Sequence, residues 1–233
     1  MSDNQVGTYK LVASPFHLDV RGKLSMGVLG KHLLNCADAY AAERGFDVVE
    51  QEGEHYTWVL SRLAIELEDL PSCHESFSIQ TWVENVYRLF ADRNFGICNK
   101  DEKPIGYVRS VWAMISMETR NPANLLGLYG DRITNSICEK ECPIAKPGRI
   151  KVSQQEAVSE YVAKYSDLDI NGHVNSIKYI EHILDIFPLD TFKKRDLKRF
   201  EIAYVAESYY NDVLSFYVEE KNENEYDVEI KKN

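Results

Sequence analysis

Residues 166–185 read S-D-L-D-I-N-G-H-V-N-S-I-K-Y-I-E-H-I-L-D. Asp169, Asn171, Gly172, His173 and Asn175 crowd a short polar stretch that passes directly into an amphipathic pattern. Ile177, Ile180, Ile183, Leu184 and Phe187 recur at helical spacing, which predicts a buried helix beginning near 175 or 176. Asn175 or Ser176 is placed to cap it. Asp169, Asn171 and His173 then sit in the turn at a helix N-terminus, where free N–H groups and the helix dipole favour a developing negative charge. Such a turn suits chemistry on a carbonyl. The same residue types also form ordinary turns and caps, so the stretch alone leaves catalysis and plain structure both open.

The pattern recurs 150 residues upstream. Leu18, Asp19, Gly22, His32 and Leu34 match Leu168, Asp169, Gly172, His182 and Leu184, and Val20, Leu24 and Leu33 have conservative counterparts in Ile170, Val174 and Ile183. The matches share one strand–turn–helix context, which identifies an internal duplication. The differences fall where chemistry would. Asn171 and His173 stand where the first copy has Arg21 and Lys23. The second half therefore reads as specialised for chemistry and the first for binding.

Outward from the two turns, each half reads as one helix with antiparallel strands, an α+β unit. In the first half an extended entry over 9–20 leads to a helix marked by Leu29, Leu33, Ala37 and Tyr40 and ending near Gly45. Strands are expected near 56–68, 76–85, 90–98 and 105–117, the second with clean alternation of Phe77, Ile79, Thr81 and Val83. Pro122, Gly127, Gly130, Pro143, Pro147 and Gly148 then punctuate a stretch without periodicity. In the second half strands are expected near 156–165, 197–207, 212–219 and 225–232, around a helix reaching about 187. The expected domains are 1–119, a connection at 120–149, and 150–233. The second half has room for one strand fewer after its helix, which leaves a last strand unaccounted for.

Composition bounds the function. The chain has 233 residues, 44% apolar and 27% charged, enough for one large or two small domains. No apolar run is long enough to span a membrane. The polar start lacks the apolar core of a signal peptide and the Arg/Ser-rich composition of a transit peptide, so a cytoplasmic location is expected. Five cysteines without a C-x-x-C fit free thiols in a reducing compartment, and Cys138-x3-Cys142 has no neighbouring His for a metal. A net charge of −10 disfavours nucleic acid, and an acidic partner would need a local basic patch.

The segments D-L-D-I-N-G-H-V-N-S-I-K-Y-I (167–180), T-W-V-L-S-R (57–62), T-W-V (81–83) and S-V-W-A-M-I-S-M-E-T-R (110–120) resemble the acyl-acyl-carrier-protein (acyl-ACP) thioesterases of plant plastids and their bacterial relatives. That resemblance implies two tandem hotdog domains, each an antiparallel sheet wrapped around a central helix. It implies hydrolysis of fatty acyl-ACP to free fatty acid and ACP, ending chain elongation, with no metal or other cofactor. Asp169, Asn171 and His173 match the family's catalytic Asp, Asn and His, and Glu207, six residues before Val213-Leu214, matches its Glu. The next family position, often Cys, is Ser208 here, which argues against a cysteine nucleophile.

Such chemistry requires an activated water and a site for the oxyanion. Glu207 or His173 is expected to activate the water, Asn171 and the helix N-terminus to hold the oxyanion, and Asp169 to orient its neighbours and fix the His tautomer. Leu29, Leu33, Trp58, Trp82 and Trp112 are candidates to line an acyl tunnel, although such side chains more often simply pack. Lys193, Lys194, Arg195, Lys198 and Arg199 form a candidate docking patch for acidic ACP, or else a solvated charged loop. Self-association into a homodimer is left open. An acyl-CoA thioesterase, a hotdog dehydratase or hydratase, and a non-catalytic acyl-binding module remain as alternatives.

Overall fold

The structure, a computed structural model, describes residues 5–47, 49–51 and 53–232, so the polar start at 1–4 lies outside the described residues. In chain order the elements are β1 (Gly7–Val12), α1 (Met26–Glu43), β2 (Val49–Gln51), β3 (Glu54–Leu67), β4 (Ser76–Val86), β5 (Phe90–Asn99) and β6 (Pro104–Ser116). There follow α2 (Leu125–Tyr129), α3 (Asp131–Thr134), β7 (Ser159–Val162), α4 (Ser176–Asp185), α5 (Leu189–Lys194), β8 (Arg199–Ala203), β9 (Val213–Asn222) and β10 (Glu225–Lys232). The chain divides into two compact units: Met1–Pro147 with Leu197–Ala203, and Gly148–Asp196 with Tyr204–Asn233.

The first unit holds an antiparallel sheet in the order β1-β4-β5-β6-β3-β2, and β8 pairs with the stretch of β3 beyond β2. Helix α1 starts where Ser25 Oγ accepts the Val28 N–H at 3.4 Å, and it ends at Gly45, whose φ of +67° suits glycine. Leu29, Leu33, Cys36, Ala37, Tyr40 and Ala41 form its buried face, the Ala residues keeping that face slim. The alternation of β4 holds through Phe77, Ile79 and Thr81, but Trp82 beside them is also buried. It is covered because Cys138, Cys142 and Ile144 pack over it and the Lys140 carbonyl accepts its indole N–H at 2.8 Å. Residues 120–147 thus fold onto this unit, and Leu125, Tyr129 and Ile133 join a cluster with Tyr40, Phe46 and Met114.

The strand expected near 197–207 is confined to Arg199–Ala203 and pairs Arg199–Ala203 with Glu66–Arg62 of β3. Its alternation announced a strand, but partner choice is non-local and leaves no mark in the segment. The second unit holds α4, α5 and a three-stranded sheet ordered β10-β9-β7. Ile177, Ile180 and Ile183 are buried on α4 as their spacing predicted, joined by Tyr179, whereas Leu184 is only partly buried and the helix ends at Asp185, before the partly buried Phe187. Among the described residues no helix is long and apolar enough to cross a membrane.

Candidate active site

The turn at 169–173 is built by one carboxylate. Asp169 Oδ1 accepts the backbone N–H of Asn171 at 2.8 Å and of His173 at 3.1 Å. The Asp169 N–H donates to the His173 carbonyl at 2.8 Å, and Gly172 takes a φ of +79° to let the chain reverse. The residues that follow enter α4, where Asn175 Oδ1 accepts the Ile177 N–H at 2.9 Å. Asp169 was expected to fix the tautomer of His173. Its carboxylate instead serves the backbone, because so short a side chain reaches only the N–H groups two and four residues on.

The partner of the imidazole comes from the loop after β8. The Val174 N–H donates to the Ser208 carbonyl at 2.7 Å, and His173 and Tyr209 form an antiparallel bridge. That alignment leaves His173 Nε2 3.5 Å from Glu207 Oε2, with the two side chains 17% and 36% exposed. Both side chains are partly open to solvent, and a gap of this length is one that catalytic pairs close when a ligand binds. Asn171, two residues before His173 in the same turn, is exposed. Ser208 is buried, which suits the structural role of its carbonyl. The turn therefore brings Asp169, Asn171, His173 and Glu207 into one place, Asp169 through backbone contacts.

A second, buried carboxylate anchors the turn from below. The side chain of Asp167, 2% exposed, accepts from the Tyr161 hydroxyl at 2.8 Å and the Lys164 N–H at 2.7 Å, and lies 3.0 Å from His182 Nε2 on α4. Its carbonyl accepts the N–H of the capping Asn175 at 2.8 Å. Burial alone would raise its pKa, but the Lys164 N–H, the Tyr161 hydroxyl and His182 outweigh it and hold the carboxyl below the usual range.

Tyr209 was not singled out in the sequence. Its ring meets the His173 imidazole edge-on at 5.0 Å between centroids and 82°, and its hydroxyl lies 3.4 Å from Glu207 Oε2. Its only sequence signal is its place two residues after Glu207.

The remaining expected residues belong to other elements. Leu29 and Leu33 are fully buried on α1, and the Trp58 indole N–H donates to the Phe46 carbonyl at 2.8 Å. Trp82 packs beneath 138–144, and the Trp112 indole N–H donates to Ser110 Oγ at 2.8 Å. The basic run is divided. Lys193, Lys194 and Arg195 belong to the second unit, where Lys193 and Lys194 are exposed and Arg195 Nη1 donates to the Glu223 carbonyl and Asn224 Oδ1. Lys198 and Arg199 belong to the first, where Lys198 Nζ donates to the Glu68 carbonyl and Arg199 pairs with Glu66 and Glu201. Among the described residues no cluster of His, Cys, Asp and Glu could hold a metal ion.

Comparison with known proteins places this chain in a family. Residues 9–129 match the acyl-ACP thioesterase N-terminal domain and residues 150–232 the acyl-ACP thioesterase C-terminal domain. A palmitoyl-acyl carrier protein thioesterase of Gossypium hirsutum is 25% identical over 187 residues, covering 77% of this chain and 45% of the relative. A dodecanoyl-[acyl-carrier-protein] hydrolase of Cinnamomum camphora is 25% identical over 172 residues, covering 71% and 45%. The chain thus spans about half the length of the curated relatives it matches. The crystal structure of an acyl-ACP thioesterase from Bacteroides thetaiotaomicron superposes with a TM-score of 0.94 at 58% identity, covering 100% of this chain and 94% of the other. The 12:0-ACP thioesterase from Umbellularia californica shares the fold at a TM-score of 0.82 and 16% identity, covering 98% and 92%. The expected α+β hotdog architecture is therefore the observed one. With both of its halves matched, this chain belongs to the acyl-ACP thioesterase family.

Proposed function

We propose that this protein hydrolyses fatty acyl-ACP thioesters to free fatty acid and ACP. The observation that carries the reading is the His173–Glu207 pair, 3.5 Å apart and open to solvent, at the turn that leads into α4. The pair takes a proton from water as the water oxygen bonds to the thioester carbon, and returns one to the sulfur as the C–S bond breaks. Asn175 already takes up the Ile177 N–H, so the oxyanion falls to the amide of Asn171 and not to that N–H. Asp169 holds the turn that presents both groups. The first unit supplies the acyl-chain wall, with Leu29, Leu33, Trp58 and Trp112 the side chains to test first. Lys193, Lys194 and Arg195, at the end of α5, offer positive charge to an acidic carrier.

The test is thiol release from acyl-ACPs of eight to eighteen carbons, with the matching acyl-CoAs in parallel and His173→Ala as control. Release that depends on His173 and is faster from acyl-ACP is expected. Equal or faster release from acyl-CoA would assign the protein to CoA thioesters, and release that survives His173→Ala would remove this site from the reaction.

A further inference from the structure

The chain carries its own control for the active-site loop. Residues 206–212 of the second unit repeat most of the hydrogen bonds of residues 69–75 of the first; the Leu70 N–H to Asp69 Oδ1 bond has no counterpart, because Ala206 stands at that position. The Tyr209 N–H donates to Asp212 Oδ2 at 2.8 Å, as the Ser72 N–H donates to Glu75 Oε2 at 2.8 Å. The Asp212 N–H returns to the Tyr209 carbonyl at 3.1 Å, as Glu75 returns to Ser72 at 3.0 Å. Asn211 and His74, at φ of +68° and +62°, donate to the carbonyls of Ala163 and Ala13. Ser208 and Pro71 accept the N–H groups of Val174 and Leu24, and the bridge His173–Tyr209 is matched by Lys23–Ser72. The loop thus closes equally well with Ser at the position of Tyr209. Its conformation does not require an aromatic ring.

Every residue of 206–212 differs from its counterpart in 69–75, and three of the changes between the copies meet at the imidazole. His173 replaces Lys23, Glu207 replaces Leu70 and Tyr209 replaces Ser72. Tyr209 is 46% exposed, so core burial does not explain the ring. What the ring contacts is the imidazole, edge-on, and its hydroxyl approaches the carboxylate of Glu207. Lys232 Nζ lies 5.3 Å from the ring centroid, 3.4 Å from Asp212 Oδ2 and 3.2 Å from the Glu207 carbonyl, fixing ring and loop from the end of β10. A neutral aromatic wall at right angles restricts rotation of the imidazole without adding charge to it.

We infer that Tyr209 is a positioning residue that sets the rotamer of His173 against Glu207 through its ring. The inference rests on the reading of His173 and Glu207 as the reacting pair. The first copy needs no such wall, because Lys23 Nζ is already held by Asp69 at 2.8 Å and the Leu70 carbonyl at 3.0 Å.

The experiment compares Tyr209→Ser and Tyr209→Phe with wild type and His173→Ala, reading kcat and KM for one acyl-ACP and the melting temperature. Tyr209→Ser restores the residue the first copy carries on the same backbone, so a folded protein is expected. Its kcat should fall between about 10- and 100-fold, the cost of a misplaced reacting group, with KM changing less than about twofold. Tyr209→Phe, which keeps the ring, should stay within about threefold of wild type. Should Tyr209→Ser unfold, Tyr209→Leu, which keeps apolar bulk but no ring, carries the same comparison with Phe. Wild-type kcat without the ring, a loss confined to KM, or a Phe variant as impaired as the ringless one would each overturn the inference. Full activity in His173→Ala would instead overturn the reading of the site on which it stands.

Discussion

The turn at 18–25 and the turn at 168–175 are one piece of backbone used twice. Asp19 Oδ1 accepts the N–H groups of Arg21 at 2.8 Å and Lys23 at 3.2 Å, just as Asp169 accepts those of Asn171 and His173. Gly22 and Gly172 take φ of +75° and +79°, and Ser25 and Asn175 cap the helices that follow. The side chains at the second and fourth positions after the shared Asp differ. Arg21 folds back onto Asp19 Oδ2 at 2.8 Å, and Lys23 is consumed by an ion pair with Asp69. In the second copy Asn171 is exposed and His173 meets Glu207. The comparison teaches that the turn is a structural device, and that the two copies differ in the few side chains placed on it.

The largest effect should come from converting one copy into the other. His173→Lys puts into the second turn a residue its twin already carries, so the fold is expected to survive. Loss of the imidazole should lower kcat for acyl-ACP by about 10³-fold, the usual worth of a general acid–base group. Retained turnover would show that the difference between the copies is not catalytic.

Next is the carboxylate that both turns share. Asp19→Ala and Asp169→Ala each remove an acceptor of two backbone N–H groups, and each should cost about 1–3 kcal/mol in urea unfolding, measured at neutral pH. Only Asp169→Ala should also lower kcat, by about 10-fold or more, because under the proposed function only that turn presents a reacting group. Equal kinetic effects from both would mean that stability, and not positioning, is being read.

The repeated frame was legible in the sequence because it is local. An Asp, a Gly and a cap at fixed offsets determine a turn without help from the rest of the chain. The contents of the site were only partly legible. Glu207 came from family likeness alone, since a Glu after a strand carries no sign of what it faces. Asp169 was given a role toward the imidazole, because residue type shows that a carboxylate is present but not which of several nearby donors it takes. The pairing of β8 with β3, and the burial of Trp82 beneath 138–144, depend on contacts far apart in sequence. No periodicity reports those. Tyr209 escaped for the same reason: its meaning lies in a bridge across two loops.

A third contrast lies under the turns, where Asp167 faces His182 in one copy and His17 faces His32 in the other. Asp167 has a folded pKa below its unfolded value near 3.9, so the unfolded state takes up its proton first. Its contribution is present above that pH and lost as pH falls through the folded value. Burial and the neighbouring His17 hold the pKa of His32 down, so the loss linked to it begins earlier, below about pH 6.5. Unfolding free energies measured from pH 8 to pH 3 should show both windows. Asp167→Asn should flatten the lower and His32→Gln the upper; one flattening the other's window would mean that the buried pairs are misassigned.

The smallest effect separates the copies most cleanly. A Cβ added at Gly22 or Gly172 would meet nothing within 4 Å, so alanine at either site costs only its reluctance to adopt a positive φ. That is about 1 kcal/mol, or about 2–4 °C in melting temperature for a chain of this size. Gly22→Ala and Gly172→Ala should therefore lower the melting temperature by nearly the same amount. The kinetics should part. Gly172 immediately precedes His173, and the strained peptide will relax by moving the residue whose N–H and carbonyl both close onto Asp169. A severalfold fall in kcat is expected for Gly172→Ala, with none for Gly22→Ala, whose neighbour Lys23 has no role in the proposed reaction. Because the thermodynamic cost is matched, a kinetic difference can arise only from where the turn points its side chain. Its absence would show that His173 is held by Glu207 and Tyr209 alone, with the turn serving only to start α4.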